Sequence, residues 1–204
     1  MATKRAVKTF WQSLWDAVGI PFRLALFDQA WLPHWGWTTL ETERIQRVLP
    51  WVNGFLLDVG AGPNRLVREY GEGVGVDVYP WGGGAWLIRD AAQLPFKPAS
   101  FGTIAFLACL NHIPNRAEAL REARRIIRSD GRVILTMIDP ILGGIGHRIW
   151  WYSEDKHRGG MAEGEVGGMW NRDILSLMRE AGFEIVHLER FVYGLNNLLV
   201  FRPV

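Results

Sequence analysis

The chain has 204 residues, 49% of them hydrophobic and 22% charged, with a formal net charge of +2 at neutral pH. That is enough for one well-packed α/β domain and too little for two. The basic residues are spread along the chain, which argues against a nucleic-acid interface, and no apolar run approaches the ~20 residues of a membrane-spanning helix. The single cysteine, Cys109, lies in an apolar run. It excludes an internal disulfide and fits a reduced, cytoplasmic setting.

At the N-terminus, Val7, Phe10, Trp11, Leu14, Trp15 and Val18 recur at helical spacing and predict an amphipathic helix from Arg5 to Val18. Gln12, Ser13 and Asp16 interrupt the apolar stretch, so it is no secretory signal. The first reading is a helix that packs its apolar face on the domain. The second is a lid or a peripheral membrane contact, because tryptophan beside lysine suits an interface. Pro21 and Pro33, with Gly36, break the next segment into short turns, with one helical stretch near Leu24 to Trp31. Thr38-x-x-Glu41 reads as a capping box that opens a helix through Ile45 and Val48 and ends before Pro50. Residues 1–50 thus form a helical cap, and residues 51–204 form the main domain.

Strand and helix then alternate. Phe55 to Val59 is a short buried strand, Gly60 to Asn64 a glycine loop, and Arg65 to Tyr70 a helix. Gly73 to Val78 is a second strand carrying Asp77. The Gly82-Gly83-Gly84 turn leads to a third, Ala85 to Ile88. After Asp90, Thr103 to Leu110 is an unbroken apolar strand of the kind buried on both faces of a parallel sheet. Asn115 caps a helix from Arg116 to Ser129, and Arg132 to Ile138 is the fifth strand. Asn171 caps a helix from Arg172 to Ala181, which Gly182 ends. Phe183 to Phe191 and Leu195 to Phe201 are too close for a crossover helix and predict an antiparallel hairpin.

The pattern predicts a single-domain, Rossmann-like, doubly wound seven-stranded sheet, mostly parallel with an antiparallel C-terminal hairpin and the N-terminal helices packed on it. Ligands of such sheets bind beyond the carboxyl ends of the strands, near the switch in strand order. Gly60 to Asn64, Asp77, Asp90, and Asn111 with His112 all fall at such ends.

The glycine loop is shared by several nucleotide-binding classes. Three residues bear on the choice. The dinucleotide fingerprint wants a small third residue where this chain has Arg65. Asp58, at the mouth of the loop, would repel a pyrophosphate and attract the ammonium and sulfonium charges of S-adenosylmethionine. Asp77 is placed to accept from ribose hydroxyls, which nicotinamide enzymes also use. A nicotinamide-dependent oxidoreductase on the same fold and a non-catalytic S-adenosylmethionine-binding protein are the alternatives to a methyltransferase.

Leu56-Leu-Asp-Val-Gly-Ala-Gly-Pro-Asn64, Val74-Gly-Val-Asp-Val78, and Arg89-Asp-Ala-Ala-Gln-Leu-Pro-Phe96 with Ser100-Phe101 resemble the successive motifs of class I methyltransferases. So do Leu110-Asn-His-Ile-Pro-Asn115 and Ala119-Leu-Arg-Glu-Ala-Arg-Arg-Ile-Ile-Arg-Ser-Asp-Gly-Arg132. The likeness covers roughly Phe55 to Ile138 and is to the small-molecule branch that includes the ubiquinone and menaquinone methyltransferases. Gly102 departs from it, since that branch usually has Asp there, and a local loss of a turn hydrogen bond is expected.

The resemblance implies S-adenosylmethionine as cofactor. The loop of Gly60, Ala61, Gly62 and Asn64 would approach it closely, and Asp58 would steer the methionine amine. Asp77 would hold the ribose, Val78 and Ala91 would flank the adenine, and Asp90 would accept from its amine. The backbone at Cys109 and Leu110 would close the methionine side. Cys109 itself reads as a small core residue.

A methyl transfer needs an aligned acceptor and excluded water, and a base only if the nucleophile carries a proton. His112 is the titratable group placed for that task, or else it orders its loop. Asn111 is a candidate for orienting a substrate oxygen. Residues 139–170 make a long connection and read as a substrate-shaping insertion, in which His147, Trp150, Trp151, Tyr152 and His157 are candidate walls for a small-molecule acceptor. His147 and His157 lack a third ligand at telling spacing, so no metal is expected. The tryptophans also read as a satellite core under that loop.

Overall fold

The computed structural model describes residues 8–25, 31–140 and 163–204. Helices α1 (Phe10–Val18), α2 (Ile20–Ala25) and α3 (Leu40–Val48) precede the sheet. Seven strands follow: β1 (Leu56–Val59), β2 (Gly73–Asp77), β3 (Trp86–Leu87), β4 (Phe101–Leu107), β5 (Ile127–Ile138), β6 (Phe183–Phe191) and β7 (Asn196–Pro203). Between them lie α4 (Arg65–Tyr70), α5 (Arg116–Ile126) and α6 (Asn171–Glu180). Among the described residues, no helix is long and apolar enough to cross a membrane.

The strand order is β3-β2-β1-β4-β5-β7-β6, parallel except for the antiparallel β5–β7 and β6–β7 pairs. After β1 the chain builds outward through β2 and β3, then returns to lay β4 on the other side of β1. The switch in strand order therefore falls between β1 and β4, where the loops after both strands meet and where doubly wound sheets bind ligands.

All four residues of β1 are buried, because helices cover both faces. Leu57, Val59, Ile104 and Leu135 pack with Leu120 and Ala123 of α5 and with Ile174 and Met178 of α6. Leu56, Ala105, Ile134, Leu198 and Val200 pack with Ile45 and Val48 of α3 and Leu66 of α4. Alternate residues of one strand thus serve opposite layers, the rule for a sheet buried on both sides.

Several boundaries differ from the sequence reading. Pro21 does not break the chain but lies in the first turn of α2, where its missing N–H costs nothing. The cap of α3 is Thr39, not Thr38, with its hydroxyl accepting from the Thr42 N–H at 3.0 Å. Strand β4 ends at Leu107; Ala108 turns with φ +52°, and Leu110–His112 is a single 3-10 turn. Helix α5 ends at Ile126 because Ile127 already pairs with Phe101 at the sheet. Asn171 is the first residue of α6 and makes no cap; its amide donates to Asn197 Oδ1 at 3.1 Å.

Gly102 is also not a defect. A Cβ there would lie 2.4 Å from the Asn53 carbonyl oxygen, so only glycine lets the chain pass. The turn keeps its hydrogen bonds through Thr103, whose hydroxyl accepts from the Asn53 N–H and donates to the Asn53 carbonyl, both at 2.8 Å.

The largest difference is in α1, whose expected apolar inner face is turned outward. Phe10 and Trp11 are each 74% exposed, and Leu14, Trp15 and Val18 of α1 and Phe22 of α2 are exposed with them. The buried side is polar. Asp16 is fully buried and Arg23 is 1% exposed, with Glu43 of α3 beside them. Lys8 lies 2.5 Å from Asp16 and 2.6 Å from Glu43, and Arg23 lies 2.5 Å from Glu43. Arg23 Nε donates to the Thr38 carbonyl at 2.8 Å, and Asp16 accepts from the Thr38 N–H at 2.8 Å. Burial pushes the Asp16 carboxyl up, but the bonds from Lys8 and Thr38 outweigh it and hold the group below its usual value.

Candidate active site

The loop after β1 supplies a cradle. Gly60 (φ +69°) and Gly62 (φ +51°) adopt left-handed conformations that a side chain would strain. They differ in surroundings: a Cβ on Gly60 would strike Cys109 Cβ at 2.6 Å, whereas one on Gly62 would meet nothing within 4 Å. Gly60 is thus required by packing against the turn after β4, and Gly62 faces open space. Ala61 is buried, and its backbone N–H and that of Gly60 donate to the Val76 carbonyl at 3.1 and 2.9 Å. That ties the loop to the end of β2.

Asn64 ends the loop in a left-handed conformation with φ 59°. It is buried; its Nδ2 donates to the Gly83 carbonyl at 3.4 Å, and its Oδ1 has no hydrogen-bond partner among the described residues. The triple-glycine turn therefore belongs to the cradle, lying so close that a Cβ on Gly83 would sit 2.1 Å from the Pro63 oxygen. Its role was hidden in the sequence, where the glycines signalled only a turn.

Asp58 is 3% exposed, and its Oδ1 has no hydrogen-bond partner among the described residues. Burial, and next the charge of Asp77, raise its pKa to about 8. An unpartnered buried carboxyl is costly and suits a cationic ligand group. Asp77 is buried and preorganised: its Oδ2 accepts from the Gly62 N–H and its Oδ1 from the Tyr79 N–H, both at 2.9 Å. Each oxygen keeps a further lone pair. Val78 is exposed beyond it, an apolar surface on which a flat ring can lie.

Asp90 accepts from the Ala92 N–H at 2.8 Å and from the Asn115 amide through both oxygens, at 3.0 and 3.1 Å. Ala91 beside it is buried. Asn115, expected only as a cap, makes no side-chain cap bond and instead orients this carboxylate.

On the opposite wall, the Cys109 thiol donates to the Val59 carbonyl at 2.8 Å, bridging the two loops at the switch point. Burial first, then Asp58 and Asp77, push that thiol well above its usual pKa, so it is a packing group and not a nucleophile. Leu110 and Asn111 are buried. The Asn111 amide donates to the Val166 carbonyl at 3.0 Å, and the Val166 N–H donates back to the Asn111 carbonyl at the same distance. This pairing brings Glu165 to His112, with 3.3 Å between His112 Nδ1 and Glu165 Oε2. Glu165 carries no motif and was missed in the sequence.

Asp58, the Gly60–Asn64 loop, Asp77, and Cys109 with Leu110 therefore meet at one edge of the sheet, with Asp90 after β3. His147, Trp150, Trp151, Tyr152 and His157 lie outside the described residues. A cavity of about 500 Å³ opens at the carboxyl end of β5, lined by Asp139, Met169, Trp170, Arg172, Arg190 and Asn197 among others. Arg65, in place of the small third residue of a dinucleotide loop, bonds Glu69, Glu41 and Thr42 at 2.7 to 2.9 Å. It clamps α4 to α3 instead of facing a phosphate.

Fold and strand order are those of a class I methyltransferase. Residues 57–135 match the family model of a methyltransferase domain, which together with the fold supports a class I S-adenosylmethionine-dependent methyltransferase. An S-adenosylmethionine-dependent methyltransferase of Thermotoga maritima superposes with a TM-score of 0.63 over 95% of this chain and 98% of its own, at 18% identity. An uncharacterised protein of Methanocaldococcus jannaschii is 22% identical over 75% of each chain. A demethylmenaquinone methyltransferase of Thermotoga maritima is 29% identical over 50% of this chain, which spans 51% of that relative. Family and fold imply S-adenosylmethionine as the methyl donor.

Proposed function

We propose that the chain transfers a methyl group from S-adenosylmethionine to a small-molecule acceptor whose attacking atom carries a proton. The carrying observation is the unpartnered, buried Asp58 carboxyl beside the open cradle at Gly62. A cationic amine satisfies that carboxyl by drawing it into its ionised form, whereas a pyrophosphate gains no charge pairing from it. Asp77 receives the ribose hydroxyls, Asp90 the adenine amine, and Val78 and Ala91 the ring faces. The backbone at Ala61, Asn64, Cys109 and Leu110 closes the remaining sides.

The cofactor, when bound, supplies a methyl carbon already activated by its sulfonium. The chain's part is to align the acceptor, exclude water and take a proton. His112 Nε2 is the base, and Glu165 on Nδ1 holds the ring in the tautomer whose Nε2 carries the accepting lone pair. Asn111 orients the stretch that carries Glu165. The cavity at the end of β5 has the size of small-molecule sites. Small-molecule acceptors also appear in the names of the demethylmenaquinone and rifamycin methyltransferases among its relatives.

The test is thermal unfolding with S-adenosylmethionine, S-adenosylhomocysteine and NADH. Either sulfur ligand at a hundredfold excess over its Kd stabilises by about 2.7 kcal/mol, a rise of about 5–10 °C for a chain of this size. A Tm moved by NADH and by neither sulfur ligand overturns the reading.

A further inference from the structure

Helix α1 is amphipathic with its sides reversed, and this carries a consequence for where the protein works. Its inward side holds Asp16, paired with Lys8 and linked to Thr38. Its outward side, continued by α2, presents Phe10, Trp11, Leu14, Trp15, Val18 and Phe22, all exposed. Trp31 and Trp35, each 61% exposed, add to this apolar surface. None of these eight positions is charged. The helix cannot roll its apolar side inward without unpairing buried Asp16, Arg23 and Glu43, which costs several kcal/mol. The exposure is built in, and a patch of this kind marks an interaction surface.

We propose that this face docks on an anionic lipid bilayer. Tryptophan and phenylalanine are the residues that settle at the headgroup boundary. The indole N–H of Trp15 donates to the Trp35 carbonyl at 2.8 Å and that of Trp37 to the Trp15 carbonyl at 3.1 Å. Their polar tips are thus satisfied within the protein and the rings can enter an apolar medium. Charge is complementary as well. Asp16 of α1 and Glu43 of α3 are neutralised internally by Lys8 and Arg23. The sequence leading into the face carries Lys4 and Arg5 and no acid, and each basic residue near an anionic surface adds about 1 kcal/mol of attraction.

The position of α1 gives docking a purpose. Tyr193, in the turn between β6 and β7, donates its hydroxyl to the Ser13 carbonyl at 3.0 Å. That turn lies beyond the Ile138–Asn196 pair, at the carboxyl end of β5, the edge that also holds the methyl-donor cradle. A bilayer under α1 therefore sits beside the mouth of the proposed acceptor cavity. This last step rests on the methyltransferase reading, whereas the docking itself does not.

The experiment is flotation of the full chain with vesicles of phosphatidylcholine alone and of phosphatidylcholine with phosphatidylglycerol. The expected result is association with the anionic vesicles that weakens as salt is raised. Trp11→Ser with Leu14→Ser should lower partitioning at least about tenfold, while Leu188→Ser, an exposed apolar residue on β6, leaves it unchanged. Phe10→Gln serves as a second, independent variant, and circular dichroism checks that each is folded. No flotation with either vesicle overturns the proposal, as does flotation indifferent to the α1 substitutions or to anionic lipid. A concentration-dependent dimer lost in the same variants, without flotation, overturns it in favour of a contact between copies. Loss of S-adenosylhomocysteine binding with flotation intact would instead count against the methyltransferase reading.

Discussion

Glu165 places a carboxylate oxygen 3.3 Å from Nδ1 of His112 across 53 residues of sequence. Its side chain is 5% exposed and that of His112 is 21% exposed, so the pair is sheltered with one edge open. A base oriented this way contributes about 10²–10⁴-fold to a proton-dependent transfer. His112→Ala should lower kcat by about 10²-fold, and Glu165→Gln by about tenfold, while the Kd for S-adenosylhomocysteine stays the same. A fall in cofactor affinity without a fall in kcat would show that the pair only orders the loop.

The Asp58 carboxyl binds its proton more tightly in the folded chain, with a pKa of about 8 against an ordinary 3.8. Between those values the folded state holds more protons than the unfolded one, so stability falls as pH rises through that window and levels off above it. Asp58→Asn should flatten that slope in chemical denaturation. A cationic amine beside Asp58 favours the ionised form. Cofactor binding near pH 7 should therefore release a proton, seen as calorimetric heats that differ between buffers of unlike ionisation enthalpy. Asp58→Asn should abolish the difference.

Gly60 and Gly62 share a left-handed backbone but not a neighbourhood. Gly60→Ala places a methyl 2.6 Å from Cys109 Cβ and should cost about 3 kcal/mol or more, strain and clash together. Gly62→Ala meets no protein atom and should cost only about 1 kcal/mol of strain. Its methyl would nevertheless stand in the cradle. Gly62→Ala is thus expected to weaken S-adenosylhomocysteine binding more than it lowers Tm, measured by titration calorimetry and thermal unfolding.

Arg23 is the most deeply buried cation of the N-terminal segment. Arg23→Met leaves Glu43 with Lys8 alone and strips the Thr38 carbonyl of its donor. Breaking a buried pair from one side costs about 3–5 kcal/mol, so Tm should fall by about 6–20 °C. Double replacement with Glu43→Leu should recover part of the loss, because the buried carboxylate that lost one of its two cations is then gone and Lys8 keeps Asp16.

Much of the fold was legible in the residues. The strand, glycine loop and helix from Phe55 to Tyr70, the closing hairpin, and the place of three acids at strand ends all follow from local rules: burial on both faces and turn chemistry. What distant parts of the chain decide was not legible. Gly102 looked like a missing aspartate until Asn53 was seen against it. Asn115 looked like a cap until both of its bonds were found on Asp90. Glu165 carries no signal at all, since its meaning depends on the Asn111–Val166 pairing that lays it beside His112.

By itself the sequence determined the alternation of strand and helix, the glycine loop after β1, and the presence of a two-sided helix, expected from Arg5 to Val18 and found from Phe10 to Val18. It could not say which side of that helix faces the protein. Hydrophobic periodicity separates an apolar stripe from a polar one, but burial is decided by what the neighbouring elements offer. Here α2 and α3 offer Arg23 and Glu43, and with Lys8 they satisfy Asp16 and its surroundings in the interior. The polar stripe is therefore the one that packs. Only the tertiary structure could turn the aromatic stripe outward, because ion pairing acts between segments that composition and spacing cannot bring together.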